Sequence, residues 1–218
     1  MNMEKLIALT FDDGPNTEIT PQVLDLLSEY GIQASFFLIG ASITPESARM
    51  ARRAWKMGCE IENHSVRHDP MGGMTPEEIR REIDGCTEKI VEITGEKPRF
   101  FRPPYIDVSP ALFDTVELIC ICGRGCQDWE PEVPAEERAR SLLSTVQDGD
   151  IILLHDMPGN TATVEALRTV IPALLERGFR FVTCGQLFAE KGVIPLRGGM
   201  YSNVLHRIPA EDCCASPG

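Results

Sequence analysis

The chain's pattern predicts an α/β fold: a distorted (β/α)7-type barrel with a mainly parallel sheet and an irregular C-terminal tail. Short extended apolar runs alternate with amphipathic helical patterns about seven times along its 218 residues. Such alternation is the signature of parallel strands joined by helical crossovers. Helix starts carry capping and proline signals that separate one unit from the next. The residues best suited to chemistry fall at or just after the strand-like runs, where barrels of this type place their sites. A doubly wound open sheet would put sites at strand ends too. The barrel is preferred because five strand ends must converge on one place.

The elements follow in order. Residues 6–9 read as a strand, and Thr20-Pro21 opens a helix over 20–30. Residues 34–39 form a second strand. Thr44-Pro45-Glu46 starts a helix ending near Gly58, and 59–61 is a short strand. Thr75-Pro76-Glu77-Glu78 is a capping box with proline at the first helical position, leading a helix to about Thr94. A strand at 99–101, a helix at 109–115 and a strand at 118–122 come next. A helix over 134–146, a strand at 150–154 and a helix over 161–177 continue the alternation. A strand at 180–182 and a helical turn at 185–190 complete it. One catalytic domain is therefore expected over 1–191. Residues 192–218, broken by Gly192, Pro195, Gly198-Gly199, Pro209 and Pro217, are expected to be the irregular tail.

Bulk composition excludes several classes. A net charge of −12 repels phosphate backbones and anionic headgroups, so neither nucleic acid nor a charged membrane surface is an expected partner. No apolar run approaches the roughly 18–20 residues of a membrane helix. The N-terminus lacks a signal-peptide pattern, so the expectation is a cytoplasmic protein as written, or an extracellular or cell-wall one if a targeting segment has been removed. The eight cysteines form no regular framework. Cys120, Cys122 and Cys126 are read as buried thiols in preference to a metal cluster.

Three runs carry the chemistry. His64 and His68 lie in ENHSVRHD; on a helical turn, i and i+4 imidazoles share a face and can bind one metal ion. Asp12 and Asp13 lie in TFDDGP, where Gly14-Pro15 lets the backbone turn and aims both carboxylates at one pocket. By itself that run is more simply a solvated turn. His155 ends a strand in IILLHDMP. Two imidazoles and one acid would make a three-ligand site, leaving the other acid as a general base. A divalent ion lowers the pKa of its water to about 7. His155, near neutrality, suits protonation of a leaving group, with Asp128 as the neighbour that keeps it charged.

With these runs in place the sequence resembles the polysaccharide deacetylases of carbohydrate esterase family four, the NodB-type domain. Five motifs stand in the family's order: TFDDGP at 10–15, HSVRH at 64–68, RPPY at 102–105, DW at 128–129 and LLH at 153–155. The resemblance implies Asp12 as catalytic base, and Asp13, His64 and His68 as ligands of one divalent metal. Zinc suits these donors best, with cobalt, nickel or iron also possible. It implies Arg102 orienting a catalytic carboxylate, Tyr105 donating its backbone N–H to the oxyanion, and Asp128 tuning the acid His155. It implies Trp129 and Leu154 walling the acetyl pocket. The expected function is N-deacetylation of an N-acetylglucosamine-containing glycan, of chitin-oligosaccharide or peptidoglycan type. An O-acetyl esterase on a xylan-like polymer and an inactive glycan-binding relative are the alternatives. Two positions depart from the family pattern, Ile106 after the RPPY tyrosine and Gly125 before the DW motif, and both bear on which glycan binds.

Overall fold

The computed structural model describes residues 4–215. A central sheet curls into a distorted (β/α)7-type barrel. Its strands are β1 (Lys5–Asp12), β2 (Ser35–Leu38), β3 (Glu60–Asn63), β4 (Phe100–Phe101), β5 (Ile119–Ile121), β6 (Ile151–His155), β7 (Phe179–Phe181), β8 (Gly199–Asn203) and β9 (His206–Pro209). Spatial order is β6-β1-β2-β3-β4-β5-β8-β9, with β7 beside the first half of β1. All pairings are parallel except β8–β9. The helices are α1 (Thr20–Tyr30), α2 (Ala48–Lys56), α3 (Pro76–Thr94), α4 (Pro110–Thr115), α5 (Ala135–Thr145), α6 (Thr161–Glu176), α7 (Cys184–Glu190) and α8 (Ala210–Ala215).

The capping box anticipated at Thr75 forms, whereas Thr20, expected as an N-cap, lies inside α1 after the N-cap Ile19, and α2 begins only at Ala48. Thr75 accepts from the Glu78 N–H while the Glu78 carboxylate reaches back to the Thr75 N–H, closing the capping box of α3. Gly31 and Gly95 end α1 and α3 in the left-handed conformation. Thr183 supplies an equivalent cap to α7.

Side chains alternate across the sheet with period two. On β1, Ile7, Leu9 and Phe11 face the helical layer, whereas Leu6 and Ala8 point inward to a second cluster. Thr10 and Asp12 continue the inward row. The same parity puts Phe100 inward on β4 and leads to Arg102; on β6 it puts Ile151 inward and leads to His155. The inner row therefore ends in polar groups at the C-terminal rim.

The tail differs from expectation. From Gly199 onward it forms β8 and β9, and β8 pairs parallel with β5 through Cys120–Met200 and Ile121–Tyr201. Asn203 bridges to Asp150, and Arg124, beyond β5, bridges to Ile152 on β6. These contacts close the gap between β5 and β6, so residues 199–209 belong to the barrel. The reason is tertiary: β8 is specified by distant partners, and its glycine-flanked sequence has no periodicity of its own. The cysteines among the described residues are all free, and Cys120, Cys122 and Cys126 are buried thiols. Among the described residues no helix is long and apolar enough to cross a membrane.

Candidate active site

Asp12 ends β1 on the inward row and is buried. Asp13 follows with φ of +74°, a left-handed conformation that Asp tolerates, and this twist brings both carboxylates to one cleft. Gly14 is required here. A Cβ at this position would lie 2.7 Å from Asp156 Oδ2. Asp156 in turn accepts from the Thr20 hydroxyl, and its N–H donates to the Asp12 carbonyl.

The two motif histidines are not on a helical turn. Ser65 and His68 both have positive φ, +65° and +61°. The loop is bent by local hydrogen bonds instead: Asn63 Oδ1 accepts from the Ser65 N–H and Ser65 Oγ from the His68 N–H. Glu82 of α3 receives the N–H groups of Val66 and Arg67. The result still places the rings 4.8 Å apart.

His64 Nδ1 lies 2.7 Å from the Arg102 carbonyl. A carbonyl only accepts, so Nδ1 carries the proton and Nε2 presents its lone pair. That Nε2 is 3.5 Å from Asp13 Oδ1, and His68 Nε2 is 3.4 Å from the same oxygen. Both separations exceed a good hydrogen bond, and Asp13 Oδ1 is buried with no hydrogen-bond partner among the described residues. A buried carboxylate oxygen without a hydrogen bond is costly unless a cation joins it. Asp13, His64 and His68 are grouped closely enough to hold a metal ion, and the carbonyl-anchored imidazole is the usual outer support of a metal ligand. Burial, followed by the electrostatic influence of its neighbour His64, holds the His68 imidazole below its ordinary value, which favours the form that ligation needs. Burial acts to raise the Asp13 carboxyl. The electrostatic pull of His64, followed by that of His155 and His68, outweighs it and leaves the group below its ordinary value.

Asp12 has a different partner. Arg102, fully buried, places Nη1 at 2.5 Å from Asp12 Oδ1 and Nη2 at 2.7 Å from the Cys122 carbonyl. Its guanidinium lies 4.3 Å from the centre of the Phe37 ring.

Across the cleft, His155 Nδ1 sits 2.8 Å from Asp128 Oδ1, and the His155 N–H donates to Asp128 Oδ2 at 2.8 Å. Burial alone would lower this imidazole. The hydrogen bond and charge of Asp128, with Asp12 and Asp13 behind them, push it up to about 9. Asp128 is itself held by Thr163, whose hydroxyl donates to Oδ2 at 2.9 Å, and by Asn160. Arg138 secures both supports.

The cleft has a volume of about 350 Å³, near the lower end for ligand pockets. Pro103, Tyr105, Ile106, Trp129 and Leu153 wall it above the polar floor. Trp129 meets His155 edge-on with ring centres 5.6 Å apart. Tyr105, 69% exposed, rests its ring 4.6 Å from His68. The turn's hydrogen bonds run from the N–H groups of Ile106 and Asp107, and that of Tyr105 lies outside them.

Leu154 is the exception. It points outward into the core beneath the helices, 1% exposed, and Leu153 occupies the cleft wall. Strand alternation forces this, since residues 153 and 155 share a face. Asn160, Thr163, Arg138, Asp156 and Glu82 were not singled out from the sequence. Only Asp156, next to His155, lies in a chemistry-bearing run; the others sit in ordinary helical or loop contexts.

The family model for polysaccharide deacetylase matches residues 2–118. The chain belongs to the polysaccharide deacetylase family. It is 45% identical over 202 residues to a bifunctional xylanase/deacetylase of Pseudobutyrivibrio xylanivorans, covering 92% of this chain and 33% of that protein. The chain thus spans about a third of that relative's length. A peptidoglycan-N-acetylglucosamine deacetylase of Bacillus cereus is 36% identical, with 87% of this chain and 91% of that protein covered. Among solved structures, a family 4 acetyl xylan esterase from Clostridium thermocellum in complex with a cobalt ion superposes with a TM-score of 0.89. It is 43% identical and covers 92% of this chain and 99% of its own. Like these polysaccharide deacetylase relatives, the chain has a curled, mostly parallel sheet.

Proposed function

We propose that this chain is a metal-dependent hydrolase that removes acetyl groups from a glycan, with Asp12 as general base and His155 as general acid. The observation that carries the reading is the orphaned Asp13 oxygen, 3.5 and 3.4 Å from the Nε2 atoms of His64 and His68, in the same cleft as the Asp128-paired imidazole of His155. A divalent ion held by Asp13, His64 and His68 would polarise the acetyl carbonyl and acidify water. Zinc suits one carboxylate and two imidazoles, and cobalt, nickel or iron fall within the same range.

The side chains divide the remaining work. Asp12, its charge held by Arg102, takes the proton of the attacking water. The Tyr105 N–H supports the oxygen on which negative charge develops. His155 gives the Nε2 proton to the departing sugar atom, and Asp128 keeps it charged until then. Trp129 and Leu153 enclose the acetyl methyl group.

For the bond cleaved, the motifs suggest an N-acetyl group on N-acetylglucosamine glycan. One observation favours an O-acetyl ester on xylan: the relatives at 45% and 43% identity carry xylan in their names, against 36% for the peptidoglycan enzyme. An acetylated xylan oligomer is therefore the first substrate to test.

The experiment measures acetate release from acetylated xylo-oligosaccharides and from chito-oligosaccharides. It compares the wild type, chelator-treated and metal-restored protein, and Asp12→Asn. Loss of the base should slow release by roughly 10²–10⁴-fold, and chelation should abolish it reversibly. Equal release in every arm, or glycan binding without turnover under several metals, would sink the reading.

A further inference from the structure

Ile106 has φ of +54°, directly after Tyr105 at +57°. The left-handed region is a genuine outlier for a β-branched residue, because Cβ crowds the adjoining carbonyl. Such strain persists only where the surroundings over-determine it. Here they do. Pro103 and Pro104 stiffen the approach, and their carbonyls accept from the Ile106 and Asp107 N–H groups, each at 3.0 Å. The Asp107 carboxylate then receives the Gly72 N–H at 2.6 Å, bolting the turn to the loop that follows His68.

Glycine would adopt this turn without strain, so the turn itself has no need of a side chain at 106. Part of the Ile106 side chain packs against the cluster containing Met71, Leu112 and Met200. The residue is nonetheless only half-buried, and it also lines the cleft. We propose that Ile106 is a specificity-determining residue: its branched side chain is an apolar wall against which the glycan's sugar ring rests, and the anchored turn holds it there. The inference rests on the glycan reading above and adds the residue that grips the sugar.

The test separates sugar contact from chemistry. Ile106→Gly and Ile106→Ala are assayed on 4-nitrophenyl acetate, which carries no sugar. They are also assayed on whichever acetylated oligosaccharide, xylan-derived or chitin-derived, the wild type turns over. For the oligosaccharide, KM should rise about tenfold with kcat held within about twofold, the scale of a lost apolar pocket contact. Activity on 4-nitrophenyl acetate should stay within about twofold, and Ile106→Val should restore most of the oligosaccharide affinity. Parallel loss on both substrates would assign Ile106 to holding Tyr105 and overturn the proposal. So would an unchanged KM in either folded variant. A wild type that turns over neither oligosaccharide removes the glycan function and this inference with it, whereas wild-type turnover with an unchanged KM removes the inference alone.

Discussion

Asp128→Asn tests whether the acid is charged by its neighbour or merely oriented by it. In the wild type, burial works against the imidazolium, and Asp128 supplies the largest opposing contribution, bringing His155 from 6.5 up to about 9. That rise corresponds to about 3 kcal/mol in favour of the protonated form. The asparagine oxygen can still accept from Nδ1, but its amide nitrogen then faces the His155 N–H and cannot accept from it. Some orientation is therefore lost along with the negative charge and sets a pH-independent part of the loss. Burial then dominates, and His155 titrates near or below the ordinary imidazole value of about 6.5. At pH 8 the wild-type acid is about nine-tenths protonated and the variant's about 3%, a loss of about 30-fold in rate from protonation alone. At pH 5.5 both are largely protonated and the difference should shrink to a few-fold. With a divalent cation bound nearby, both values move down together, so the quantity to read is the displacement between the two profiles.

The assay is kcat/KM for acetate release from an oligosaccharide between pH 5 and 10. 4-Nitrophenyl acetate serves as the control, since its leaving group needs little protonation. A uniform loss at pH 5.5 and 8 would refute the charge argument and leave Asp128 as an orienting group. Stability gives an independent check. The folded-state value lies above the unfolded one, so the stabilisation is fully present below about pH 6.5 and is lost as pH rises through about 9. Asp128→Asn should therefore lower the thermal midpoint more at pH 6 than at pH 9.5.

Three further outcomes are expected. His68→Ala should weaken divalent metal binding, measured calorimetrically, by more than the roughly 10–100-fold that losing an outer-shell partner costs. Gly14→Ala should destabilise the fold by about 1–3 kcal/mol in denaturant titration, because its Cβ would lie 2.7 Å from the Asp156 carboxylate. Leu154→Ala should cost about 2–5 kcal/mol of stability with little change in KM, as expected of a fully buried core leucine. Leu153→Ala, at the cleft wall, should raise KM.

Much of this architecture is legible in the chain because its signals are local. Capping boxes at Thr75 and Thr183 and left-handed glycines at 31 and 95 need only neighbouring residues. The site's own groups lie in short runs at strand ends, so alternation and motif order bring them to one rim. What stayed hidden depends on distant partners. β8 exists because β5 and β6 leave a gap. Thr163 matters only because α6 carries it to Asp128, 35 residues earlier in the chain. The helical reading of His64 and His68 failed for a related reason: Asn63, Ser65 and Glu82 offer the backbone a competing set of hydrogen bonds.

The two adjacent aspartates pose the sharpest question of roles, and their spacing along the chain leaves it open. Their surroundings supply an argument. Asp12 lies in the regular inner row and meets a buried guanidinium at 2.5 Å, so its charge is already compensated and one oxygen stays available to handle a proton. Asp13, turned left-handed one residue later, lies within 3.5 Å of both imidazoles and keeps a buried oxygen without a partner. A buried carboxylate in that condition is costly unless a cation joins it. Metal affinity should therefore fall far more in Asp13→Ala than in Asp12→Asn, while both lose turnover. Equal loss of metal in the two variants would mean that both carboxylates are ligands and that the base lies elsewhere.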